Sequence, residues 1–492
     1  MAKGAVWMVA ARFADRSVGL VSTVILARLL IPEDFGLVSM AMSVIAMLEV
    51  LASFNFDVVL IQNQNAERRH YDTAWTFNVV MGAVSAATLL LVATPASRFF
   101  REPRLMPVVM ALAALPFLEG LQNIGIVEFR KQLLFNKEFG FLFAKKLASF
   151  VVVVPLAIIF RNYWVLVVGV LTGRVAGLLL SYLIQPFRPK LSLAAKGELF
   201  HFSKWLYANN LAQFFIHRAP DLVIGRIAGP QALGLFNVSH EIAYLPTHEL
   251  VAPINRAIFP GYAKKSGDLE VLRQGFLDVI SIICLMMIPA AIGIYLTSDL
   301  VVAIFLGDKW LAAEPLIKLL AMAGLMFALQ TNPAYVHFAM GNPKLVSMLT
   351  FLYAACLLPV MVYATKAAGP MGAALAYIGT AAVVLPISYG ILMYKLEMRF
   401  LELLARIWRP LLSSAVMAAV VTMLRVALGE PASFAQNVWH ALTIALSGIA
   451  VYGGTLMTLW RLSSSPDGAE RFALDLIRQK LTRRSDSGGT ST

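Results

Sequence analysis

Polar and ionisable side chains recur at helical spacing within an apolar stretch that runs from residue 201 to 260. In its first half four of them follow at steps of three and four residues: Asn210, Gln213, His217 and Asp221. In its second half the same spacing applies to Asn237, Glu241, Tyr244 and His248. Such spacing places each set on one face of a helix. Ionisable groups at membrane depth normally face a bundle interior or a wet cavity, so the two stripes predict the lining of a transport pathway.

This stretch also contains a motif that recurs near the N-terminus. Arg226, Pro230, Gly234 and Leu235 follow the spacing Arg-x3-Pro-x3-Gly-Leu, and so do Arg28, Pro32, Gly36 and Leu37. Further ionisable residues flank the earlier copy: Arg12, Asp15 and Arg16 before it, and Glu49 and Asp57 after it. Each copy stands at the first helix–helix turn of its half, which favours an internal duplication over chance. Repeats of this kind underlie many transporters, whose substrate site lies between the repeats.

The composition of the chain is that of a membrane protein. Hydrophobic residues make up 59% of the 492 residues and charged residues only 14%, which excludes an ordinary soluble domain. Cys284 and Cys356 both fall within apolar runs, so we expect free buried thiols and neither a disulfide nor a metal site. The net charge is +13, but the Lys and Arg residues fall in alternate loops and form no continuous basic surface. This distribution argues against nucleic acid as a partner.

A bilayer core needs about 20 mostly apolar residues per helix, and on this ruler we predict fourteen membrane spans. They lie near residues 5–30, 36–61, 73–97, 107–128, 138–160, 163–186, 204–228, 232–259, 273–297, 314–340, 343–366, 370–394, 409–428 and 437–460. Lys and Arg concentrate in the loops that share a side with the N-terminus, which predicts that both termini are cytoplasmic. In the thirteenth span Arg425 stands near an outer end, where we expect it to snorkel.

We therefore predict an all-α integral membrane protein with about fourteen transmembrane helices. Residues 1–186 and 204–394 form two six-helix lobes, joined by a cytoplasmic link at 187–203. Two additional transmembrane helices follow at 395–461, and a cytoplasmic tail at 462–492 carries an amphipathic helix. The lobes form a parallel repeat rather than an inverted one, because an even number of spans separates the two copies of the motif.

Several segments together resemble the bacterial polysaccharide-transporter family of O-antigen and exopolysaccharide flippases, part of the superfamily that includes multidrug and toxin exporters. They are ILARLLIPEDFGLVS at 25–39, HFSKWLYANNL at 201–211, DLVIGRIAGPQALGLFNVSHEIAYLP at 221–246, LGDKWLAAEPLIKLLA at 306–321 and FAMGNPK at 338–344. The resemblance implies two bundles around a central cavity that opens alternately to either side. It also implies that the protein is a transporter rather than an enzyme and needs no cofactor. The expected cargo is an oligosaccharide on undecaprenyl diphosphate, which is moved across the bacterial inner membrane. The polymerase and the chain-length regulator of the same pathway are expected partners.

An anionic cargo of this kind would select particular residues of the interior. Guanidinium groups bind phosphate through paired hydrogen bonds and stay charged, which favours Arg12, Arg16 and Arg218, each well inside its span. Asp15 and Asp221 stand at i+3 from Arg12 and Arg218, so neutralisation within the same helix is the alternative. The predicted substrate-binding set is Arg12, Asp15, Arg16, His217, Arg218 and Asp221. A second set has a candidate role in the cavity or in ion coupling: Glu49, Asp57, Arg174, Asn210, Gln213, Glu241, Tyr244 and His248.

Two other functions stay open at this point. A cation-coupled multidrug exporter would share the architecture but favour an acidic, aromatic-lined pocket, whereas the deep charges in the opening spans of each half lean towards arginine. A membrane glycosyltransferase or polymerase usually needs a sizeable extracytoplasmic loop, and the loops predicted on that side are short. Coupling to a proton or sodium gradient would use acidic residues such as Glu49, Asp57 and Glu241. Lys145 and Lys146 are expected at the membrane interface near the cytosol.

Overall fold

The computed structural model describes residues 17–52, 56–197, 214–264, 268–463 and 470–471, which are helical apart from turns and links. Up to residue 197 the helices are α1 (Ser17–Leu29), α2 (Pro32–Ala52), α3 (Phe56–Gln62), α4 (Arg68–Phe100), α5 (Leu105–Leu112), α6 (Ala114–Gly120), α7 (Val127–Lys131), α8 (Phe135–Phe160) and α9 (Trp164–Ile184). After residue 213 they are α10 (Ala219–Ala243), α11 (Ala252–Lys264), α12 (Leu269–Val301), α13 (Glu314–Ala339), α14 (Pro343–Lys395), α15 (Phe400–Leu428) and α16 (Phe434–Leu462).

Eight helical stretches of the described residues are long and apolar enough to cross a membrane. They are α4, α8, α9, Leu269–Leu306, Asp308–Ala339, α14, α15 and α16. The span predicted at 107–128 is broken, since Leu105–Gly120 and Ile124–Lys131 meet at 64°. The Asn123 side chain accepts a hydrogen bond from the Gly125 N–H at 2.9 Å and so caps the second piece. The prediction of an all-α membrane protein is confirmed, and the count of fourteen spans stays a prediction.

Two of the helices contain a sharp turn. α14 has 53 residues, and an unbroken helix of that length would measure about 80 Å, more than twice the thickness of a bilayer core. Its backbone leaves the helical region at Ala368 and at Gly369, where φ is +58°. α10 leaves it at Gly229, where φ is +83°, and Pro230 then begins the second arm. Both turns stand where the sequence predicts the end of one span and the start of the next.

Contacts divide the chain into two compact units. The first unit comprises Met1–Asn237, Phe305–Trp310 and Met361–Ala373, and the second comprises Val238–Ile304, Leu311–Val360 and Ala374–Thr492. Within the first unit, Trp310 Nε1 donates to the Ala27 carbonyl at 2.8 Å, and Lys309 Nζ donates to the Leu29 carbonyl at 3.2 Å. These carbonyls belong to the last turn of α1 and have no partner within that helix, so the segment 305–310 caps it.

The two copies of the repeated motif pack against each other within the first unit. A Cβ on Gly36 would stand 1.7 Å from the Pro230 oxygen, and a Cβ on Gly234 would stand 1.8 Å from the Pro32 oxygen. Each would also stand 2.9 Å from the backbone nitrogen of the other glycine. The contact is therefore reciprocal, as at an interface with two-fold symmetry. Backbones this close leave no room for a side chain, which accounts for a glycine in both copies.

The first part of the predicted link at 187–203 is bound along α4, and we call residues 187–195 the strap. Three backbone N–H groups of the strap donate to side chains of α4: Lys190 to Asp72 at 2.9 Å, Ser192 to Thr76 at 2.9 Å and Ala195 to Thr73 at 3.2 Å. All three acceptor residues are buried. The Thr73 and Thr76 hydroxyls donate to the backbone of α4, which orients their oxygens to accept from the strap.

An ion-pair cluster stands between α4 and α5. Arg104 donates to the Glu102 carboxylate at 2.8 Å and 3.0 Å and also pairs with Glu33 at the start of α2. The hydrogen bond from Arg104 lowers the pKa of the Glu102 carboxyl, although partial burial of that carboxyl opposes the shift. The hydrogen bonds to Glu102 and Glu33 raise the pKa of Arg104 in turn. The cluster ties the start of α2 to the loop after α4.

In the second unit α15 is joined to α12 near both ends. Arg425 pairs with Asp299 at 2.5 Å and donates to the Leu296 carbonyl, so a carboxylate within the protein meets the charge that we expected to snorkel. The other ion pairs of α15 are Arg406–Asp278 at 3.3 Å, Glu402–Arg273 at 3.6 Å and Arg409–Glu470 at 3.2 Å. Both thiols are free; Cys284 is buried, as predicted, whereas Cys356 is only half-buried. The amphipathic helix predicted in the tail lies outside the described residues, apart from 470–471.

Candidate functional site

A cavity of about 750 Å³ lies within the first unit. Its wall is formed by α2, α3, α4, α6, α7, α8 and the segment 214–218. Four lining residues are acidic: Glu49, Asp57, Glu119 and Glu138. Four more carry basic side chains: Arg130, Lys145, His217 and Arg218. The volume suits a small-molecule group, and the density of charge predicts that this group is strongly polar.

An ion pair between α9 and α6 supports one part of the wall. Arg174 Nη1 lies 2.6 Å from Glu119 Oε1, and Glu119 lines the cavity. Glu49 of α2 lies within electrostatic range of Glu119, Arg174 and Arg218. Its Oε1 is buried and has no hydrogen-bond donor among the residues that the structure describes. A buried carboxylate oxygen without a donor is unfavourable, so Glu49 is the acidic group of the wall best placed to take up a proton or a cation.

Arg218 stands at the point where the chain enters α10. Its Nη1 lies 3.8 Å from Asp221 Oδ2, the i+3 pair expected from the sequence. The Arg218 side chain is 52% exposed and that of Asp221 only 10%. The Asn237 side chain hydrogen-bonds to the Asp221 carboxylate and so shares it with the arginine. The ion pair between Arg218 and Asp221 is therefore long, and the Arg218 guanidinium remains accessible from the cavity.

Arg130 joins three elements at another part of the wall. Its Nε lies 2.5 Å from Glu138 Oε1 of α8, and its Nη1 lies 3.7 Å from Asp57 Oδ2 of α3. Arg130 belongs to α7, which lies in Ile124–Lys131, the second piece of the bent helix pair. The break in that segment thus brings a cation between two carboxylates.

Lys145 of α8 contributes a cation of a different kind. Its Nζ lies 5.3 Å from the centre of the Phe141 ring, one turn earlier on the same helix. The described part of the chain contains no carboxylate within ion-pair distance of this ammonium group. Its charge is therefore available to a ligand in the cavity.

The structure brings part of the predicted site together. Glu49, Asp57, His217 and Arg218 line the cavity, Asp221 pairs with Arg218, and Arg174 pairs with Glu119 of the wall. Five predicted residues lie outside the described residues: Arg12, Asp15, Arg16, Asn210 and Gln213. Their part in the site stays a prediction.

Three further predicted residues, Glu241, Tyr244 and His248, lie in the second unit and do not line this cavity. Tyr244 is buried, and its ring stacks on that of His240 with centroids 4.0 Å apart and an interplanar angle of 20°. The Tyr244 and His248 rings are 6.1 Å apart. Tyr244 and His248, two residues of the predicted stripe, thus belong to a run of neighbouring rings with His240.

The sequence analysis did not predict a role in the cavity for four of its charged lining residues: Glu119, Arg130, Glu138 and Lys145. Glu119 could have been predicted as a functional residue, because it is a lone charge inside an apolar span. The same is true of its partner Arg174. Arg130 and Glu138 fall in a stretch that reads as a cytoplasmic loop and the start of a helix. Lys145 reads as one of an interfacial lysine pair, and its place in the wall depends on how α8 packs.

The sequence matches the family described as “Polysaccharide biosynthesis protein” over residues 25–315. It is 26% identical over 385 residues to the lipopolysaccharide biosynthesis protein WzxC of Escherichia coli (strain K12). This alignment covers 76% of this chain and 77% of the relative. It is 21% identical over 486 residues to the succinoglycan biosynthesis transport protein ExoT of Rhizobium meliloti (strain 1021), which covers 98% of this chain and 96% of the relative.

A solved structure extends the comparison to the fold. The structure titled “Lipid II flippase MurJ, inward closed conformation” superposes with a TM-score of 0.76 at 13% identity, over 93% of this chain and 99% of that one. At such low identity the likeness concerns the fold alone. Together with the sequence matches, it confirms the resemblance to polysaccharide transporters found in the motifs.

Proposed function

This chain belongs to the polysaccharide biosynthesis protein family, and on that premise we propose that it is a flippase for a lipid-linked oligosaccharide. The cargo is a repeat unit on undecaprenyl diphosphate, moved across the bacterial inner membrane for exopolysaccharide or lipopolysaccharide synthesis. The observation that carries this proposal is the charged cavity of the first unit, which lies among apolar helices. The names of the two relatives, a lipopolysaccharide biosynthesis protein and a succinoglycan transport protein, support it.

The cavity answers a physical problem posed by the cargo. A bare diphosphate does not cross hydrocarbon, because removing an isolated ion from water to a low-dielectric medium is unfavourable by tens of kcal/mol. Cationic groups in a wet cavity replace part of the lost hydration. Arg218 can supply paired hydrogen bonds to a phosphate, since half of its side chain is accessible. The sugars and the head group then cross within the protein while the polyprenyl tail stays in lipid.

The site must also release its cargo. Asp221 lies at 3.8 Å from Arg218, close enough to attract the guanidinium and far enough to yield it to a phosphate. Competition of this kind moderates affinity and keeps release fast. In this proposal Arg12 and Arg16 add positive charge to the same pathway, and two lobes alternate in exposing it to cytoplasm and periplasm. Both termini are cytoplasmic, and the polymerase receives the cargo on the far side.

Energy input is assigned to Glu49. Asp57, Glu119 and Glu138 each have an arginine within ion-pair distance, whereas one oxygen of Glu49 is buried without a donor among the described residues. A proton or a sodium ion taken up there would change the charge next to Arg174 and Arg218. In this way an ion gradient can bias the affinity of the cavity for an anion.

The ion pairs between carboxylates and arginines of the wall weigh against the alternative, a multidrug exporter. Such an exporter would need accessible carboxylates for a cationic drug. Here Glu119 and Glu138 are met by arginines, and the accessible charges of the wall include the cations Lys145 and Arg218. The electrostatics of the first unit therefore favour an anionic group.

The proposal is tested in a strain that lacks the gene and carries it on a plasmid. The wild-type gene should restore surface polysaccharide, and Arg218→Ala should leave lipid-linked precursor on the cytoplasmic face of the inner membrane. Arg218→Lys should restore part of the export, because charge survives while the paired geometry does not. Arg461→Ala, at the exposed end of α16, serves as the matched arginine control. Export by Arg218→Ala at the wild-type level, with equal protein in the membrane, would overturn the proposal.

A further inference from the structure

Lys145 lies in a slot that exists because α9 has a glycine at position 177. A Cβ on Gly177 would stand 2.7 Å from Lys145 Cε, 3.0 Å from Lys145 Cδ and 2.8 Å from Gln122 Nε2. These distances are too short for ordinary contact, so the lysine stem occupies the space that any other residue would fill. The far end of the side chain reaches the cavity, where it stands over Phe141.

The neighbouring lysine shows that this placement is specific. Lys146 does not line the cavity, and its Nζ lies 3.0 Å from the point where a Cβ on Gly19 of α1 would stand. The two side chains therefore leave α8 in different directions. Gly173, one turn before Gly177 on α9, also lacks the slot, because a Cβ there would meet only Ser149 at an ordinary 3.7 Å.

Lys145 also differs from the other cations near the wall. Arg174 is held by Glu119 at 2.6 Å, and Arg130 is held by Glu138 at 2.5 Å. Lys145 has no carboxylate within ion-pair distance among the described residues, and its Nζ stands over the ring of Phe141. Its ammonium group is thus held in place by packing of the stem rather than by an opposite charge.

We propose that Lys145 is a phosphate-binding residue of this cavity and that Gly177 is the positioning residue that holds it there. The ligand class is the phosphate of a diphosphate group. The inference rests on the proposed function and adds a residue to it that sequence analysis placed at the membrane interface. Arg174, which the sequence suggested for the cavity, pairs with Glu119 of the wall.

The chemistry of lysine suits a group that must bind and then leave. An ammonium is a compact charge with three donors that rotate about a flexible stem, so it follows a phosphate without demanding one orientation. Phe141 stands against the charge, and both residues line the cavity in which the ligand would bind. A fixed stem with a mobile head limits the entropy lost on binding.

The test uses purified full-length protein in nanodiscs of neutral lipid, with inorganic pyrophosphate as the probe and calorimetry as the readout at constant ionic strength. Lys145→Ala should raise the Kd by about tenfold or more, as expected for loss of one charge-assisted contact. Lys145→Arg should retain most of the affinity. Lys146→Ala, the adjacent lysine, should leave the Kd within about twofold of wild type.

A second pair of variants tests the slot. Gly177→Ala should displace the flexible lysine stem, leave the fold intact and raise the Kd several-fold, whereas Gly173→Ala should have no effect on the Kd. The double variant Lys145→Ala/Gly177→Ala should bind no more weakly than Lys145→Ala, because Gly177 acts only through Lys145. Full additivity of the two changes would show that Gly177 has another role and would overturn the assignment of Gly177.

The outcomes separate this inference from the function on which it rests. Equal pyrophosphate affinity of wild type and Lys145→Ala would overturn the role of Lys145 and leave the flippase proposal in place. Failure of the wild-type protein to bind pyrophosphate at all would contradict both. Weakened binding by Lys145→Ala and Gly177→Ala alone among the single alanine variants would support both.

Discussion

Gly36 and Gly234 form a reciprocal backbone contact in which each glycine stands against the proline that precedes the other by four residues. The two close approaches are nearly equal, at 1.7 Å and 1.8 Å for a Cβ built on each glycine. Two copies of one motif meet in this way when they are related by a local two-fold axis. The contact gives the repeated Pro-x3-Gly spacing a physical reason, and the parallel direction of the repeat stays a prediction.

This contact predicts that neither glycine tolerates a methyl group. Gly36→Ala or Gly234→Ala should push the two backbones apart and destabilise the protein by about 1–3 kcal/mol, as overpacking commonly does. The measurement is the apparent melting temperature in detergent. Gly140→Ala, on α8 with open space around it, is the matched control and should not lower that temperature. Equal melting temperatures of Gly36→Ala and Gly140→Ala would contradict the contact.

The strap should detach from α4 when its buried acceptors are removed. Asp72→Ala leaves the Lys190 N–H without its acceptor, and Thr76→Val does the same for Ser192. Combining the two changes should expose the strap to trypsin at Lys190, which Leu191 follows. Thr88→Val, an exposed hydroxyl further along α4, should leave the cleavage rate unchanged. The account of the strap fails if the double variant is cleaved no faster than wild type in inside-out membrane vesicles, which present the predicted cytoplasmic link to the protease.

Acid should remove the stabilisation provided by Glu102. The pKa of its carboxyl is lowered in the fold, so its contribution is present above the ordinary glutamate pKa of about 4.3 and is lost as the pH falls through the lower value. At neutral pH, Glu102→Gln should be less stable than wild type by about 1 kcal/mol or less, because Arg104 is partly exposed. The difference should shrink as the pH is taken below about 4. A difference that grows in acid would show the opposite sign of the shift.

Glu49 should determine whether transport responds to an ion gradient. In proteoliposomes with an imposed proton or sodium gradient, wild-type protein should move its lipid cargo faster than without the gradient. Glu49→Gln should move it at one rate under both conditions, because a neutral amide takes up no ion. Asp57→Asn should keep the response, since Arg130 already pairs with Asp57. A normal gradient response by Glu49→Gln would assign coupling to another group.

Local features of the fold were predictable because they depend on neighbours in sequence. The turn at Gly229 and Pro230 follows from two residues whose backbone preferences end one helix and begin the next. The pairing of Arg218 with Asp221 follows from their i+3 spacing. The bend near Asn123 was missed because the segment is apolar enough on average to count as one span, and hydropathy does not register a capping side chain.

The parts of the site that the sequence did not predict depend on contacts between distant segments. Glu119 and Arg174 are far apart in sequence and meet only when α6 and α9 pack. Lys145 reads as an interfacial residue until Gly177 is seen opposite its stem. Spacing along one helix carries no information on such partners, so a single sequence indicates which charges are buried but not which of them are neutralised.

The central claim is that a charged cavity with accessible cations moves an anionic lipid head group across the membrane. Purified protein is reconstituted in liposomes with a fluorescent polyprenyl-diphosphate oligosaccharide, and dithionite quenching reports the fraction in the outer leaflet over time. Wild-type protein should equilibrate the lipid between leaflets, and Arg218→Ala should be no faster than protein-free liposomes, with Arg461→Ala as fast as wild type. Equilibration by Arg218→Ala at the wild-type rate, or none by wild-type protein, would contradict the account.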